Sequence, residues 1–328
     1  MVAVSTSELS PDGPDLPPRE LCGILNVDKP AGLTSHDVVA RVRRATGQRR
    51  VGHAGTLDPM ATGVLLLCLG QATRVAEYLM QGDKVYRARI RLGITTDTYD
   101  AEGQVVAQGL VTATRPLVER VLAEFVGTIE QTPPIYSAIK HRGTPLHRLA
   151  RRGKAVAPLP RRVRIETLEL LDWSPPELLV EVRCGKGTYI RSLAHDLGQR
   201  LGCGAHLTGL TRVASGDFRL GDALPLSVLE DAFARGEGER LLKPIDAALR
   251  RFPAVTLDGA AEAQVYVGQP IFLADGPGTE LCRAYSGDGR LLALLRRREG
   301  GVWQPHKVFA QSEGHAGHTR STSEQPRS

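Results

Sequence analysis

Val51-Gly-His-Ala-Gly-Thr-Leu-Asp-Pro-Met-Ala-Thr-Gly63 packs three glycines, one proline, one histidine and one carboxylate into thirteen residues. Glycine admits backbone conformations closed to other residues and Asp-Pro favours turn initiation, so this is a loop. It lies between a basic, helix-like segment and the apolar, strand-like run Val64 to Leu69. Two titratable side chains, His53 and Asp58, sit on a backbone made for tight bends. On composition alone, Asp58-Pro59 could equally open a plain turn, with His53 satisfying backbone groups nearby.

Upstream, Gly23 to Val27 reads as a short buried strand and Asp28 to Gly32 as a turn. Ser35 is placed to cap a helix in which Val38, Val39 and Val42 share a face and which Gly47 ends. Downstream, Val64 to Leu69 reads as a buried strand and Gln71 to Met80 as one short helix. From Lys84 to Leu92 the period drops to two: Tyr86, Ala88, Ile90 and Leu92 face inward, and Arg87, Arg89 and Arg91 face outward. Leu117 to Phe125 is helical in pattern. A second alternating strand, Leu178, Val180, Val182 and Cys184, runs through a Gly185-Lys-Gly187 turn into a helix with Ile190, Leu193, Ala194 and Leu197 on one face. Leu226 to Arg235 is helical, and Val255 to Phe309 mixes short strands with Gly-rich turns.

The 328 residues are 41% hydrophobic, enough for two domains with ample core, and carry a net charge of +6. The charge is unevenly spread: Lys140 to Arg164 holds nine Lys or Arg and no Asp or Glu. Arg41, Arg43, Arg44, Arg49 and Arg50 form a second run just before the central loop. Each run alone reads as a solvated face, and the two together suggest a phosphate-binding track. Five scattered cysteines without a C-x-x-C pair argue against zinc and for reduced thiols. No window reaches the apolar length of a membrane helix, and the N-terminal residues lack the pattern of a signal peptide, so a cytoplasmic protein is expected. The GKG turn meets neither common nucleotide-phosphate pattern, which leaves a nucleotide-dependent enzyme as a remote reading.

The segment Gly52 to Leu65 resembles the catalytic motif of the TruB family of tRNA pseudouridine synthases. It is joined, in the family's order, by Gly23-Ile-Leu-Asn-Val-Asp-Lys-Pro-Ala-Gly-Leu-Thr-Ser-His36, Lys84-Val-Tyr-Arg-Ala88 and Pro133-Pro-Ile-Tyr-Ser-Ala-Ile-Lys140. Gly187-Thr-Tyr-Ile-Arg-Ser-Leu-Ala-His-Asp-Leu-Gly198 and Leu207-Thr-Gly-Leu-Thr-Arg212 complete the set. The similarity runs from about residue 21 to about residue 250.

The resemblance implies an α+β pseudouridine synthase fold: a central, mainly antiparallel sheet flanked by helices and loops, spanning 20–250, followed by a small PUA-like β domain over 251–310. Within the first unit a basic RNA-gripping insertion is expected at about 131–155, and disordered segments at 1–19 and 311–328. The resemblance makes Asp58 the catalytic residue and Arg191 its ion-pair partner. It also implies that Tyr86 stacks on the target base, with Tyr189 as a second ring, Leu210 as an apolar wall, and His53 acting during base flipping. Lys140, Arg148, Arg151 and Arg152 would grip RNA. The implied reaction is the isomerisation of uridine 55 in the T arm of tRNA, without cofactor, metal or guide RNA, by a monomer. Two rivals stand beside it: a guide-RNA-dependent synthase of the Cbf5 type, which shares the motif, and a catalytically silent RNA-binding or RNA-folding protein that keeps the fold.

Overall fold

The computed structural model describes residues 20–309 apart from 138, 142 and 155, so the expected N-terminal extension and C-terminal tail lie outside the described residues. The first strand, β1 (Gly23–Lys29), leads into α1 (Ser35–Thr46), which buries Val38, Val39 and Val42 and ends at Gly47 with φ of 64°. The helix cap is Thr34 rather than Ser35. The Thr34 hydroxyl accepts from the Asp37 amide while the Asp37 carboxylate accepts from the Thr34 amide, a reciprocal box that satisfies two exposed donors.

Next come β2 (Val51–His53) and β3 (Thr62–Leu69), with the central loop between them. Strand β3 is buried on both faces, which explains its unbroken apolar run. Leu65, Leu67 and Leu69 enter one core, and Val64, Leu66 and Cys68 the other. The expected single helix over Gln71 to Met80 is in fact a 3-10 segment, Gly70–Val75, followed by α2 (Ala76–Gln81). Strand β4 (Lys84–Leu92) keeps the predicted alternation, with Ala88, Ile90 and Leu92 buried and the three arginines exposed. The short pair β5 (Ile94–Thr96) and β6 (Val105–Gln108) brackets a tight turn, and α3 (Arg115–Ala123) follows.

Strand β7 (Gly127–Gln131) opens the basic segment, which contains a two-residue ladder, β8 (Lys140–His141) with β9 (Thr144–Pro145), and the short helix α4 (Leu146–Arg151). Strands β10 (Arg161–Ser174) and β11 (Glu177–Cys184), helix α5 (Ile190–Arg200) and strand β12 (Ala205–Ser215) complete the centre. After them come β13 (Phe218–Arg219), β14 (Leu224–Pro225) and α6 (Leu226–Ala234). The large sheet runs β14-β1-β3-β12-β4-β11-β10-β7, with β13 on β12 and β2 on β3. Only the β1–β14 and β3–β12 pairings in it are parallel. One face carries the main core under α1, α3, α5 and α6.

A second, five-stranded sheet orders β15 (Ala254–Thr256), β17 (Leu281–Tyr285), β18 (Leu291–Arg297), β19 (Val302–Val308) and β16 (Ile271–Phe272). Its core gathers Cys282, Leu292, Leu295 and the fully buried Trp303, and it includes a helix, α7 (Gly259–Tyr266), that the sequence pattern did not disclose. This sheet docks against the 3-10 segment, where Lys307 donates to the Arg74 carbonyl at 2.7 Å and Arg74 lies over the Phe309 ring. Among the described residues no helix is long and apolar enough to cross a membrane.

Candidate active site

Asp58 owes its position to the bonds of its neighbours. The Ser35 hydroxyl, spared from capping, donates to the Leu57 carbonyl at 3.1 Å and accepts from the Leu57 amide at 2.8 Å. On the other side, the Pro59 carbonyl accepts from the Gly32 amide at 2.9 Å and from Lys29 Nζ at 3.1 Å. Lys29 is fully buried and also donates to the Pro30 and Leu33 carbonyls at 2.8 and 2.5 Å. Burial lowers its ammonium to about 8, with the Asp58 charge opposing.

From beneath, Arg212 Nε donates to the Val64 carbonyl at 2.6 Å and its Nη2 to the Gly55 carbonyl at 3.1 Å. This guanidinium is reached because β12 lies parallel to β3 at Gly63, where a Cβ would stand 2.4 Å from the Arg212 carbonyl oxygen. Only glycine fits there, and its φ of 94° requires glycine as well.

Facing the loop, the first turn of α5 presents Arg191. Its Nη2 donates to Asp58 Oδ1 at 2.9 Å and to the Tyr136 carbonyl at 3.0 Å. Its Nη1 reaches Asp100 Oδ2 at 3.2 Å and the Thr98 carbonyl at 3.4 Å. The Arg191 and Asp100 side chains are 6% and 4% exposed and Asp58 is 33% exposed, so the network opens to the outside only at Asp58. Burial pushes the Asp58 carboxyl above the ordinary carboxylate range, and Arg191 pulls it back toward ionisation.

Around this carboxylate the sequence-predicted residues divide clearly. Tyr86 on β4, half-buried against the main core, stands opposite Arg212, and Leu210 on β12 pairs with Ala88 two residues along. Tyr189 caps α5, where the Gln131 amide grips its backbone through bonds of 2.7 and 3.0 Å. Burial raises both phenols, and the Asp58 charge raises each further. His53 ends β2 edge-on to the His36 ring, 5.1 Å between centroids, and burial lowers it to about 4. It is neutral at physiological pH, and no described hydrogen bond ties it to Asp58.

The basic insertion is less directly placed. Arg148 and Arg152 are exposed and no described hydrogen bond or ion pair ties them to the Asp58 network, while the side chains of Lys140 and Arg151 lie outside the described residues. The upstream arginine run is partly committed to the fold. Arg41 pairs with Glu230 at 2.5 Å, Arg43 donates to the Val51 carbonyl at 2.7 Å, and Arg50 donates to Thr73 at 3.1 Å. Arg43, Arg44, Arg49 and Arg50 are nonetheless exposed.

Sequence reasoning missed Asp100, Arg212 and Lys29 as parts of the site. Each is a buried charge, and periodicity cannot tell a buried charge from a solvated one.

The fold and site define a class: a mixed α/β protein whose large, mainly antiparallel sheet presents a partly exposed carboxylate braced by a buried guanidinium. The comparisons agree. The family model described as TruB family pseudouridylate synthase, N-terminal domain, matches residues 43–190. That described as tRNA pseudouridylate synthase B C-terminal domain matches residues 191–250. A tRNA pseudouridine synthase B of Dehalococcoides mccartyi (strain CBDB1) is 45% identical over 88% of this chain and 96% of its own length. That of Cupriavidus metallidurans is 46% identical over 88% of this chain and 95% of its own. Among solved structures, an H/ACA ribonucleoprotein bound to a substrate RNA containing 2′-deoxyuridine superposes with a TM-score of 0.70 at 26% identity, covering 90% of this chain and 87% of that one. The chain belongs to the TruB family of pseudouridylate synthases.

Proposed function

We infer that this protein is a tRNA pseudouridine synthase that isomerises uridine 55 in the T arm, with Asp58 as its catalytic group. The observation that carries the reading is the Asp58–Arg191 pair at 2.9 Å, in which the guanidinium is buried and the carboxylate is the partner open to the outside.

The reaction breaks the bond from ribose C1′ to base N1, joins C1′ to C5 of the same base, removes the C5 proton and protonates N1. A base inside a stacked helix cannot enter such a cleft, so the nucleotide is everted first. His53, neutral and beside the loop, supports that step by packing rather than by carrying charge. Tyr86 and Tyr189 offer faces between which a detached uracil can turn without leaving. Asp58 serves at the ribose as an anion, as nucleophile or as base, and the Arg191 fork keeps it charged in a partly desolvated position. Arg148 and Arg152 on the basic insertion contact phosphate, and the second sheet serves as a PUA-like RNA-binding module.

The curated relatives at 45–46% identity are named tRNA pseudouridine synthase B, which supports a tRNA-acting enzyme over a guide-dependent subunit. The deciding experiment incubates the purified protein with a T-arm stem-loop, without guide RNA, and maps pseudouridine by position. Product at uridine 55 is expected; an unmodified stem-loop, or modification only after guide RNA is added, overturns the reading.

A further inference from the structure

Among the described residues Tyr99 is the one non-glycine residue with φ in the left-handed region, at 65°. Such a backbone is strained for a bulky side chain and persists only where its surroundings hold it. Tyr99 belongs to the turn between β5 and β6 that delivers Asp100 to Arg191. The turn is wound around Asp100 itself: Thr98 Oγ1 donates to Asp100 Oδ1 at 2.6 Å, the Glu102 amide to the same oxygen at 3.1 Å, and Thr96 Oγ1 to the Asp100 carbonyl at 2.7 Å.

Those bonds shape the turn, and other contacts attach it. The Leu207 amide on β12 donates to the Tyr99 carbonyl at 3.0 Å. On the α5 side, Asp100 meets Arg191, and the Tyr99 ring lies flat on the His195 ring, 3.9 Å between centroids and 17° between planes. His195 follows Arg191 by four residues, so the two share one face of α5. Consecutive residues of an extended chain point to opposite sides, yet Tyr99 and Asp100 both reach α5. The left-handed backbone at Tyr99 brings them to the same side. Burial lowers the His195 pKa, so a neutral imidazole is the partner in the stack.

We propose that the Tyr99–His195 stack is a positioning clamp that presses the 97–104 turn onto α5, so that Asp100 orients the Arg191 fork toward Asp58. The clamp rests on the reading of Asp58 as the catalytic group. It acts through Asp100 and Arg191 and touches no substrate, so its loss lowers the rate of the chemical step without altering RNA affinity.

The test uses the full chain and a T-arm stem-loop under single-turnover conditions. Tyr99→Gly removes the ring and relieves the backbone, Tyr99→Phe keeps the ring, and His195→Ala removes the partner. Tyr99→Gly and His195→Ala are each expected to slow the single-turnover rate by on the order of tenfold with an unchanged Kd for RNA. Tyr99→Phe retains the parent rate, and the double variant Tyr99→Gly/His195→Ala is no slower than the worse single, because both break the same stack. Parent rates in Tyr99→Gly and His195→Ala, a loss that resides in Kd, or losses that multiply in the double variant overturn the clamp. If Tyr99→Gly does not fold, His195→Ala against Tyr99→Phe decides on the same criteria. Asp58→Ala runs alongside: turnover there sinks the catalytic reading itself, whereas an inactive Asp58→Ala beside a full-rate Tyr99→Gly sinks only the clamp.

Discussion

Arg191 Nη2 donates to Asp58 Oδ1 at 2.9 Å from a side chain that is 6% exposed, while the carboxylate it meets is 33% exposed. The cation is buried and the anion is at the surface of the cleft. Removing a guanidinium from water is costly unless it is paired and its donors are satisfied. Here Asp100 and the Thr98 and Tyr136 carbonyls accept from the two terminal nitrogens, while the buried Nε has no described hydrogen-bond partner. Arg191 is thus held between two aspartates, and the exposed end of the group is Asp58.

Asp58→Asn keeps the size of the side chain and removes its charge. It is expected to abolish pseudouridine formation in an unmodified tRNA transcript while leaving RNA affinity within several-fold of the parent. Retained turnover, measured by release of the C5 hydrogen, would remove Asp58 from the mechanism.

Arg191→Lys keeps the charge and loses the planar fork that reaches two carboxylates at once. A rate loss of about 100-fold is expected from the misplaced carboxylate. Arg191→Ala leaves Asp100 buried without its cation and costs about 3–5 kcal/mol of stability. Denaturant unfolding of the two variants measures the difference. A lysine variant with the parent rate shows that the fork is not needed.

The pH–rate profile reports the shifted groups. Because burial raises the Asp58 carboxyl above its ordinary 3.8, the active anion is lost at a higher pH than for an exposed aspartate. The rate therefore falls on the acid side from a pH above that value. His53, lowered to about 4, stays neutral through the physiological range, so no inflection near 6.5 is expected from it. A step at 6.5 that disappears in His53→Gln would assign proton transfer to this ring.

Ser35→Ala removes both bonds to the Leu57 backbone, where the carbonyl and the amide are otherwise buried. Unsatisfied buried backbone groups cost about 1–3 kcal/mol each, so the unfolding midpoint falls. Activity per folded molecule falls as well, because Leu57 directly precedes Asp58. If Ser35 were merely a helix cap, the stability loss would be smaller and the turnover of the folded protein unchanged.

Neutralising Arg148, Arg152 and Lys154, all exposed, should weaken RNA binding and flatten its salt dependence by roughly 0.7–0.9 in slope for each phosphate no longer neutralised. The parent slope in the triple variant would mean that this face does not meet the RNA backbone.

Much of the fold was legible because it is encoded locally. The period of two over Lys84 to Leu92 and over Leu178 to Cys184, and the helical spacing of Val38, Val39 and Val42, gave elements that the structure contains. The helix cap was misplaced by one residue, because Thr34 and Ser35 are chemically interchangeable as caps. Only the packing of α1 on the central loop shows that the Ser35 hydroxyl is bonded to Leu57 instead. Likewise, Gln71 to Met80 has helical spacing throughout, but the backbone changes from a 3-10 segment to an α-helix at Ala76.

By itself the sequence determined the elements, the special backbone of the loop around Asp58, and a family resemblance strong enough to single out Asp58, Arg191, Tyr86, Tyr189, Leu210 and His53. The tertiary structure alone decided which charges are buried and with what. Arg191 meets Asp100 across 91 positions of chain and Arg212 meets Val64 across 148, and no local pattern constrains such distances. An arginine on a helix face and an aspartate in a turn read as solvated until the sheet closes over them. Desolvation, which sets the charge state of Asp58, is a property of the assembled core rather than of any segment of chain.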